Sequence, residues 1–319
     1  MSKSRFKSAL VLSGGSARAL AHLGVIEEIE RRRMNVDMIV GASMGAIIGG
    51  LYAYYGDAGA VITKLRELFA SEVFHKSASA VSDDGNGQFG PDGFLHRLIQ
   101  LFRRGVYYTH SMLRSELVSE DLYSEIFEML MPDILIEDLP VPFAAIAMDL
   151  VTGDEIVITK GSLRRAVAAS SAIPGIFPVI EINGRPLVDG GWVDNVPVAP
   201  AIALGAHFVL AVDATLEISG TVAFPQSALE IAFRCDEITR ILLARHRKSY
   251  ADALITPEIG QVFWANFGAL DKCVSAGRKA FKESVSTLLK KAAWRRYVTA
   301  WGSIHPCRVG EWRHPFLIF

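Results

Sequence analysis

The chain has 319 residues, half of them apolar, and a formal net charge of −1 at pH 7. That length and apolar content allow a sizeable buried core, in one large domain or two small ones. The charge gives no overall attraction to nucleic acid or to an anionic membrane, so any such attraction requires a local patch. Three widely spaced cysteines fit neither a disulfide framework nor a zinc motif and indicate a reducing compartment.

Two apolar stretches bear on targeting. The basic opening MSKSRFKSALVLSGG has an apolar run that stops at glycines, too short for the core of a signal peptide, so we expect the mature chain to start here. Residues 196–212 are interrupted by Pro197, Pro200 and His207, whereas a membrane span usually needs about 20 predominantly apolar residues. This stretch predicts a buried helix followed by a buried strand. We therefore expect a cytoplasmic protein, soluble or peripheral at the inner membrane surface.

Short apolar runs alternate with helical patterns along much of the chain. Strands are predicted at residues 8–13 and 36–40, and helices at about 18–33 and 44–55. From residue 141 the pattern resumes, with strands in VPFAAIAMDL, EIVIT, RPLVDGG and AHFVLAVDA and a helix at about 162–171. Such alternation is typical of βαβ units. The sequence therefore predicts an α/β fold with a mainly parallel central sheet flanked by helices.

Two segments have a composition that differs from this pattern. Residues 77–93 concentrate Ser, Asp, Gly and Pro and predict a mobile loop. The amphipathic FLHRLIQLFRR that follows, residues 94–104, is either a cationic lid that contacts a membrane or an ordinary surface helix. Residues 278–319 carry nine Lys or Arg against two Asp or Glu, and three tryptophans. This end either sits at a lipid interface or forms a surface helix with a loose tail.

The stretch VGASMGAII places Ser43 between Gly41 and Gly45, in the pattern G-x-S-x-G. The pattern lies between a predicted strand and a predicted helix, where a sharp turn holds a serine hydroxyl exposed at the carboxyl edge of a sheet. Flanking glycines suit such a turn because a Cβ would crowd it. The helix that follows directs its positive end at the serine. Ser43 is therefore a candidate nucleophile.

A glycine-rich turn, LSGGSARA, joins the first predicted strand to the first predicted helix. If the two strands are parallel neighbours, the amides of Gly14, Gly15 and Ser16 can face a carbonyl attacked by Ser43, as an oxyanion hole does. A dinucleotide is the rival ligand for such a turn. However, the G-x-G-x-x-G register lacks its later glycines and its ribose-binding acid, and no phosphate-binding G-x-x-x-x-G-K-[ST] occurs.

The candidate bases are a histidine or an aspartate. The eight histidines are scattered, and His207 lies in an apolar run typical of a satisfied core residue. In LVDGGWVDN, Asp189 ends an apolar run and is followed by Gly190 and Gly191, which allow another segment to approach closely. D-G-G is also a common turn, so the motif alone leaves both interpretations open.

Four blocks in order carry a family resemblance: LSGGSARALAHLGVIEEIE, VGASMGAIIGGLYA, ASSAIPGIFPVIEINGRPLVDGGWVDN and VLAVD. In these blocks the chain resembles the patatin-like phospholipases, and is closest to compact bacterial members. The resemblance implies a three-layer patatin-like fold. It places an acyl hydrolase domain at residues 6–280, with the loop and lid at 77–104, and leaves a basic helix and tail at 281–319.

The resemblance also implies a Ser–Asp dyad with Ser43 as nucleophile, Asp189 as base and the glycine-rich turn as oxyanion hole. The family hydrolyses acyl esters of phospholipids, lysophospholipids or simpler lipids without a metal or cofactor, so we expect a lipid substrate and no nucleic-acid partner. Two alternatives stay open: a Ser-His-Asp carboxylesterase, and a catalytically silent lipid-binding or regulatory protein of the same fold. The head group, acyl length and oligomeric state are not encoded in these motifs.

The chain departs from the family's usual G-G-G-x-R-G turn at two positions. Ser16 replaces the third glycine and carries a steric cost if φ is positive there, and Ala19 replaces the last. Arg18 matches the family's arginine and either meets a lipid phosphate or anchors the turn. In the third block, Ser170 and Ser171 are rival nucleophiles, but neither lies in G-x-S-x-G, so they are expected to have wall or helix-end roles. Asp194 and Asn195 are expected to hold the Asp189 loop.

Overall fold

The computed structural model describes residues 6–81, 116–215, 225, 228–260, 262, 266–300 and 317–318. The predicted lid helix at 94–104 lies outside these residues, as does most of the predicted loop before it. The loop prediction is wrong at its start, because a helix continues from Glu72 to Val81. Within that helix the Ser77 hydroxyl donates back to the Phe74 carbonyl at 2.8 Å, so this serine is accommodated in helical backbone.

The described strands form one mixed sheet, in the order β5-β6-β3-β2-β1-β7-β8, with β4 beside β3 and β9 beside β4. The strands are β1 Ser8–Leu12, β2 Met38–Ala42, β3 Phe143–Asp149, β4 Glu155–Ile158, β5 Ile180–Ile182, β6 Arg185–Asp189, β7 Phe208–Val212, β8 Ala253–Ile255 and β9 Leu317–Ile318. Neighbours from β3 through β2, β1 and β7 to β8 are parallel, whereas β4 and β6 are antiparallel to β3. The predicted mainly parallel sheet is confirmed.

Helices cover both faces of the sheet. They are α1 Ala21–Arg31, α2 Met44–Tyr55, α3 Ala58–Phe69, α4 Glu72–Val81, α5 Glu120–Leu130, α6 Leu163–Ser170, α7 Val198–Ala203, α8 Ala228–Lys248 and α9 Leu270–Ala300. Along β1, Leu10 and Leu12 pack into the larger apolar cluster, with α1 and α2, while Ala9 and Val11 pack into a second cluster with α7. Since both faces are buried, the predicted three-layer fold is confirmed.

The helix after the glycine-rich turn begins later than predicted. Residues Ser16–Leu20 form a 3₁₀ turn, and α1 starts only at Ala21. A tighter first turn is common where a helix starts. The helix predicted at 44–55 is observed with those bounds, and residues 196–212 contain the predicted buried helix, α7, and buried strand, β7.

The last helix, α9, crosses the predicted domain boundary at residue 280. Phe281 and Leu288 lie beyond that boundary, yet they are buried in the larger cluster with the rest of the core. The basic helix that the sequence placed after residue 280 is therefore the continuation of α9, and its Phe281 and Leu288 share the core of the domain. The axes of α9 and α1 approach closely because both helices place glycines at the contact, Gly24 and Gly277.

We predict that Gly24→Ala lowers the free energy of unfolding by about 1–3 kcal/mol. A Cβ at Gly24 would lie 2.7 Å from the Arg278 amide nitrogen, so α9 would have to move. That clash outweighs the gain of about 1 kcal/mol that Ala brings to a helix. Gly59→Ala is the matched control, because Gly59 is an exposed helical glycine that meets only the Asp57 side chain. Urea unfolding in which Gly24→Ala were as stable as the parent would contradict the tight contact.

Candidate functional site

Ser43 lies in a strained turn between β2 and α2. Its backbone has φ 53° and ψ −127°, outside the common regions for a residue with a side chain. The two flanking glycines make this turn feasible. A Cβ at Gly41 would lie 2.6 Å from the Ala46 nitrogen, and one at Gly45 would lie 2.5 Å from the Ser13 carbonyl oxygen. The turn therefore needs both glycines of G-x-S-x-G, and it leaves Ser43 partly exposed.

Strand β3 brings Ser43 and Asp189 together. Ile146 of β3 pairs with Ala42, the residue before Ser43, and the next residue, Ala147, pairs with Asp189 at the end of β6. Ser43 Oγ then donates to Asp189 Oδ2 at 2.7 Å. Two side chains 146 positions apart in sequence thus meet because one strand holds both of their backbones in register.

The carboxylate of Asp189 is buried, with 2% of the residue exposed. Its second oxygen, Oδ1, accepts the Gly191 amide at 2.7 Å. Burial raises the pKa of Asp189 to about 6, although the hydrogen bonds from Ser43 and Gly191 and the charge of Arg240 oppose the rise. An aspartate with this pKa is a stronger base than one in water and is still mostly ionised at pH 7.

An aromatic wall contributes to this burial. Tyr123 of α5 is buried, donates its hydroxyl to the Ala168 carbonyl at 2.8 Å and stacks on Phe177 with 4.8 Å between ring centroids. Burial and the charge of Asp189 raise the pKa of the Tyr123 hydroxyl well above its ordinary value, so it stays protonated. The residues around the carboxylate therefore include a ring whose only polar group is already bonded.

Ser170 holds the backbone of Ser43. The Ser43 amide donates to the Ser170 carbonyl oxygen at 3.1 Å and to its Oγ at 3.0 Å. The Ser170 hydroxyl in turn donates to the Ile146 carbonyl oxygen at 2.6 Å. Ser170 is therefore a support of the Ser43 turn rather than a rival nucleophile. The sequence predicted a wall or helix-end role, and Ser170 is the last residue of α6, but only the folded chain shows what it contacts.

The glycine-rich turn, residues 13–16, lies against Ser43, but the predicted set of three amides is wrong at Gly14. The Gly14 amide donates to the Asn195 carbonyl oxygen at 3.1 Å, so it is already paired. A Cβ at Gly14 would lie 3.1 Å from Ser43 Cβ. This position therefore favours glycine because the turn and Ser43 approach each other closely. The amides of Gly15 and Ser16 form no hydrogen bond with any residue that the structure describes. They remain the available donors.

Ser16 adopts the left-handed backbone that the family's glycine would favour. Its φ is 50°, and the preceding Gly15 has φ 141°. The serine thus keeps the turn geometry at a conformational cost of about 1 kcal/mol.

Arg18 anchors the glycine-rich turn to two neighbouring backbone segments. Its residue is only 7% exposed, and its guanidinium donates to the carbonyl oxygens of Ala214 at 3.2 Å and Gly260 at 2.9 Å. Burial lowers the pKa of the guanidinium. Because its donors point at backbone carbonyls, Arg18 takes the anchoring role and not that of a phosphate ligand.

The loop of residues 189–195 connects Asp189 to the glycine-rich turn. The Asp194 amide donates to the Gly190 carbonyl oxygen at 2.8 Å, and the Asn195 carbonyl accepts the Gly14 amide. A Cβ at Gly190 would lie 2.5 Å from the Ile146 carbonyl carbon, so the loop packs directly on β3. Asp194 and Asn195 hold this loop, as predicted.

A buried arginine secures the same loop from α8. Arg247 Nη1 donates to Asp194 Oδ2 at 2.9 Å and to Glu155 Oε2 at 2.6 Å. Burial and the neighbouring Glu155 raise the pKa of Asp194 well above its ordinary value, although Arg247 opposes this. The sequence offered no signal for Arg247, because its partners lie 53 and 92 positions away.

Four histidines lie in the described part of the chain, and none of them hydrogen-bonds to Ser43 or Asp189. His22 is buried and its Nε2 lies 2.8 Å from the Ser13 carbonyl oxygen; burial lowers its pKa to about 4. His207 is half-buried rather than a full core residue, and its Nδ1 accepts the Lys7 amide at 3.2 Å. The others are His75 and His246. The remaining four histidines of the sequence lie outside the described residues.

The described residues contain neither a metal-type cluster nor a membrane-spanning helix. Among them, no cluster of three or more His, Cys, Asp or Glu side chains has the arrangement of a metal site. Of the helices described, none has the length and apolar character needed to cross a membrane.

Known proteins are similar to this chain in sequence, and one solved structure aligns with most of it. An uncharacterised NTE family protein of Mycobacterium tuberculosis is 29% identical over 236 residues, 73% of this chain and 55% of that protein. Lysophospholipase NTE1 of Mycosarcoma maydis is 32% identical over 204 residues, 64% of this chain and 9% of that protein. VipD from Legionella pneumophila, a solved structure, aligns with a TM-score of 0.44 and 14% identity over 87% of this chain and 67% of its own. The chain thus spans little more than half the length of the mycobacterial relative.

The family model described as patatin-like phospholipase matches residues 10–202. The matched segment is more than half of the chain and includes the glycine-rich turn, Ser43 and Asp189. The chain therefore belongs to the patatin-like phospholipase family.

Proposed function

We propose that the protein is a serine acyl hydrolase that cleaves fatty-acyl esters of phospholipids or lysophospholipids. The observation that carries this proposal is the direct 2.7 Å hydrogen bond from Ser43 Oγ to the buried Asp189 carboxylate. Family membership and the relative named lysophospholipase NTE1 support the lipid ester as substrate. We propose no cofactor and no metal in the reaction.

The reaction proceeds through an acyl-enzyme. Asp189 Oδ2 accepts the hydroxyl proton while Ser43 Oγ bonds to the acyl carbon, and the carbonyl oxygen becomes an oxyanion. The tetrahedral intermediate then expels the alcohol, which takes the proton from Asp189. Water enters, gives a proton to Asp189 and attacks the acyl carbon. Release of the fatty acid returns the proton to Ser43.

Two groups of donors stabilise the oxyanion in this proposal. The amides of Gly15 and Ser16 lie in the turn that contacts Ser43 and have no partner among the described residues. The N-terminus of α2, which begins at Met44, adds the positive end of a 12-residue helix. Because these are backbone groups held by packing, they need no rearrangement as the charge develops.

The two alternative functions have less support. A Ser-His-Asp carboxylesterase needs a histidine between Ser43 and the acid, whereas the serine hydroxyl already donates to Asp189. A silent lipid-binding protein would follow if Ser16 had displaced the oxyanion amides. The left-handed backbone of Ser16 instead keeps the conformation that glycine would adopt.

The location of α9 bears on the predicted membrane contact. Cys273, near the start of α9, lies close to Arg18, whereas Arg295 donates to the His207 carbonyl oxygen at the amino end of β7. At 1.5 Å per residue, these positions are about 33 Å apart. The exposed Trp294 and Tyr297 therefore lie at the sheet edge opposite Ser43. A membrane at that end alone would not deliver lipid to the site, so contact through 94–104 stays a prediction.

We predict that Ser43→Ala and Asp189→Asn each lower kcat at least a thousandfold on a lysophospholipid, since each removes one partner of the proton transfer. Fluorophosphonate labelling of Ser43 should disappear in the first variant. Asp133→Asn is the control, because Asp133 is 83% exposed and distant in sequence from the site. Near-parental turnover by either dyad variant would exclude the dyad.

The pH dependence should report the carboxylate of Asp189. The base must be ionised, so kcat/KM falls as the pH drops through about 6 and is constant above it until another group titrates. The ionisation enthalpy of a carboxyl group is small and that of an imidazole is large. If the assay is run at temperatures from about 10 to about 35 °C, the pH at the midpoint of the kcat/KM profile should therefore hardly change. A midpoint that shifts strongly with temperature would favour the histidine alternative.

Ser16→Gly should keep activity and raise the free energy of unfolding by up to about 1 kcal/mol, because glycine adopts positive φ without a steric cost. Urea unfolding and fluorophosphonate labelling measure the two effects. If the parent were unlabelled and Ser16→Gly became labelled, the silent alternative would be correct for the natural chain.

A further inference from the structure

An arginine and a tryptophan lie together beside the dyad. Trp192 ends the 3₁₀ turn Gly190–Trp192, which Asp189 caps through its bond to Gly191. The Arg240 guanidinium, from α8, lies 4.6 Å over the centroid of the Trp192 ring. Trp192 is the third residue after Asp189, and three residues of a 3₁₀ turn advance about 6 Å along the backbone.

The guanidinium of Arg240 is only partly engaged. Its Nε donates to Asp236 Oδ2 at 2.8 Å, and a third of its side chain is exposed, at 34%. Both Nη atoms lack a hydrogen-bond partner among the residues that the structure describes. The ring beneath restricts the plane of the guanidinium, and the bond to Asp236 fixes its rotation. Two parallel N–H donors are thus available to a ligand from solvent.

The charge of Arg240 also reaches the reacting groups. It is one of the influences that lower the pKa of the Asp189 carboxyl, against the effect of burial. Arg18, by contrast, is buried and directs its donors to backbone carbonyls. Of these two arginines near the dyad, Arg240 is therefore the one available to bind an anionic substrate group.

We propose that Arg240, stacked on Trp192, binds the phosphate of the lipid head group and so favours substrates that carry phosphate one glycerol unit from the scissile ester. The proposal rests on the proposed acyl hydrolase function and specifies its substrate class. A planar guanidinium matches phosphate oxygens through two parallel hydrogen bonds, which an ammonium group does not. Arg240 lies outside the matched residues 10–202, so the selectivity comes from a segment that the family model does not cover.

The experiment compares a lysophospholipid with the monoacylglycerol of the same acyl chain. The ratio of their kcat/KM values is measured at pH 8, where Asp189 is ionised in every variant. Arg240→Gln should lower this ratio roughly tenfold to a hundredfold, the range for hydrogen bonds to a charged group. Arg240→Lys should lower it by a smaller factor. Arg245→Gln is the matched control, as Arg245 is an exposed arginine of the same helix.

A binding measurement separates this proposal from the proposed function. In Ser43→Ala protein, Arg240→Gln should weaken calorimetric binding of the lysophospholipid by a similar factor and leave the monoacylglycerol unaffected. This difference in binding is expected even if the natural chain hydrolyses neither lipid. That outcome would overturn only the proposed hydrolase function. An unchanged lysophospholipid affinity and ratio, or an equal loss on both lipids, would overturn the head-group site. Arg240-dependent binding of inorganic phosphate with no lipid preference would also overturn it, in favour of a site for free anions.

Discussion

The hydrogen bond between Ser43 Oγ and Asp189 Oδ2 is the interaction on which the rest of the site depends. A carboxylate removed from water is costly unless donors compensate for the lost solvation. Asp189 receives two donors, from Ser43 and Gly191, and still has a pKa raised to about 6. The burial that raises the pKa of the aspartate therefore also requires the serine to stay in place.

That requirement explains the packing around β3. Ile146 pairs with Ala42 beside Ser43, and its carbonyl oxygen accepts the Ser170 hydroxyl that steadies the Ser43 amide. Gly190 packs against the same peptide group. Larger side chains at these contacts would separate the ends of β2 and β6 by more than a hydrogen bond allows. The glycines of both motifs thus act through close approach of backbones.

The sequence predicted the sheet and the bounds of α2 from apolar periodicity. Ser43 and Asp189 each lie in a glycine motif at a strand end, but only the family resemblance predicted that the two belong together. The sequence mispredicted the Gly14 amide because its acceptor, Asn195, is brought there only by the folded loop. The contacts of Ser170 and Arg247 could not be predicted for the same reason. Contacts between residues that are distant in sequence are set by tertiary packing, which no local spacing encodes.

The buried network of Arg247 extends the site beyond the matched residues. Two carboxylates, Asp194 and Glu155, bond to the guanidinium of Arg247, and burial raises the pKa of Asp194 well above its ordinary value although Arg247 opposes the rise. Removing the arginine would leave buried charge uncompensated, which is strongly destabilising. Because Asp194 also bonds the loop that carries Asp189, helix α8 is needed for the position of Asp189 as well as for the guanidinium of Arg240.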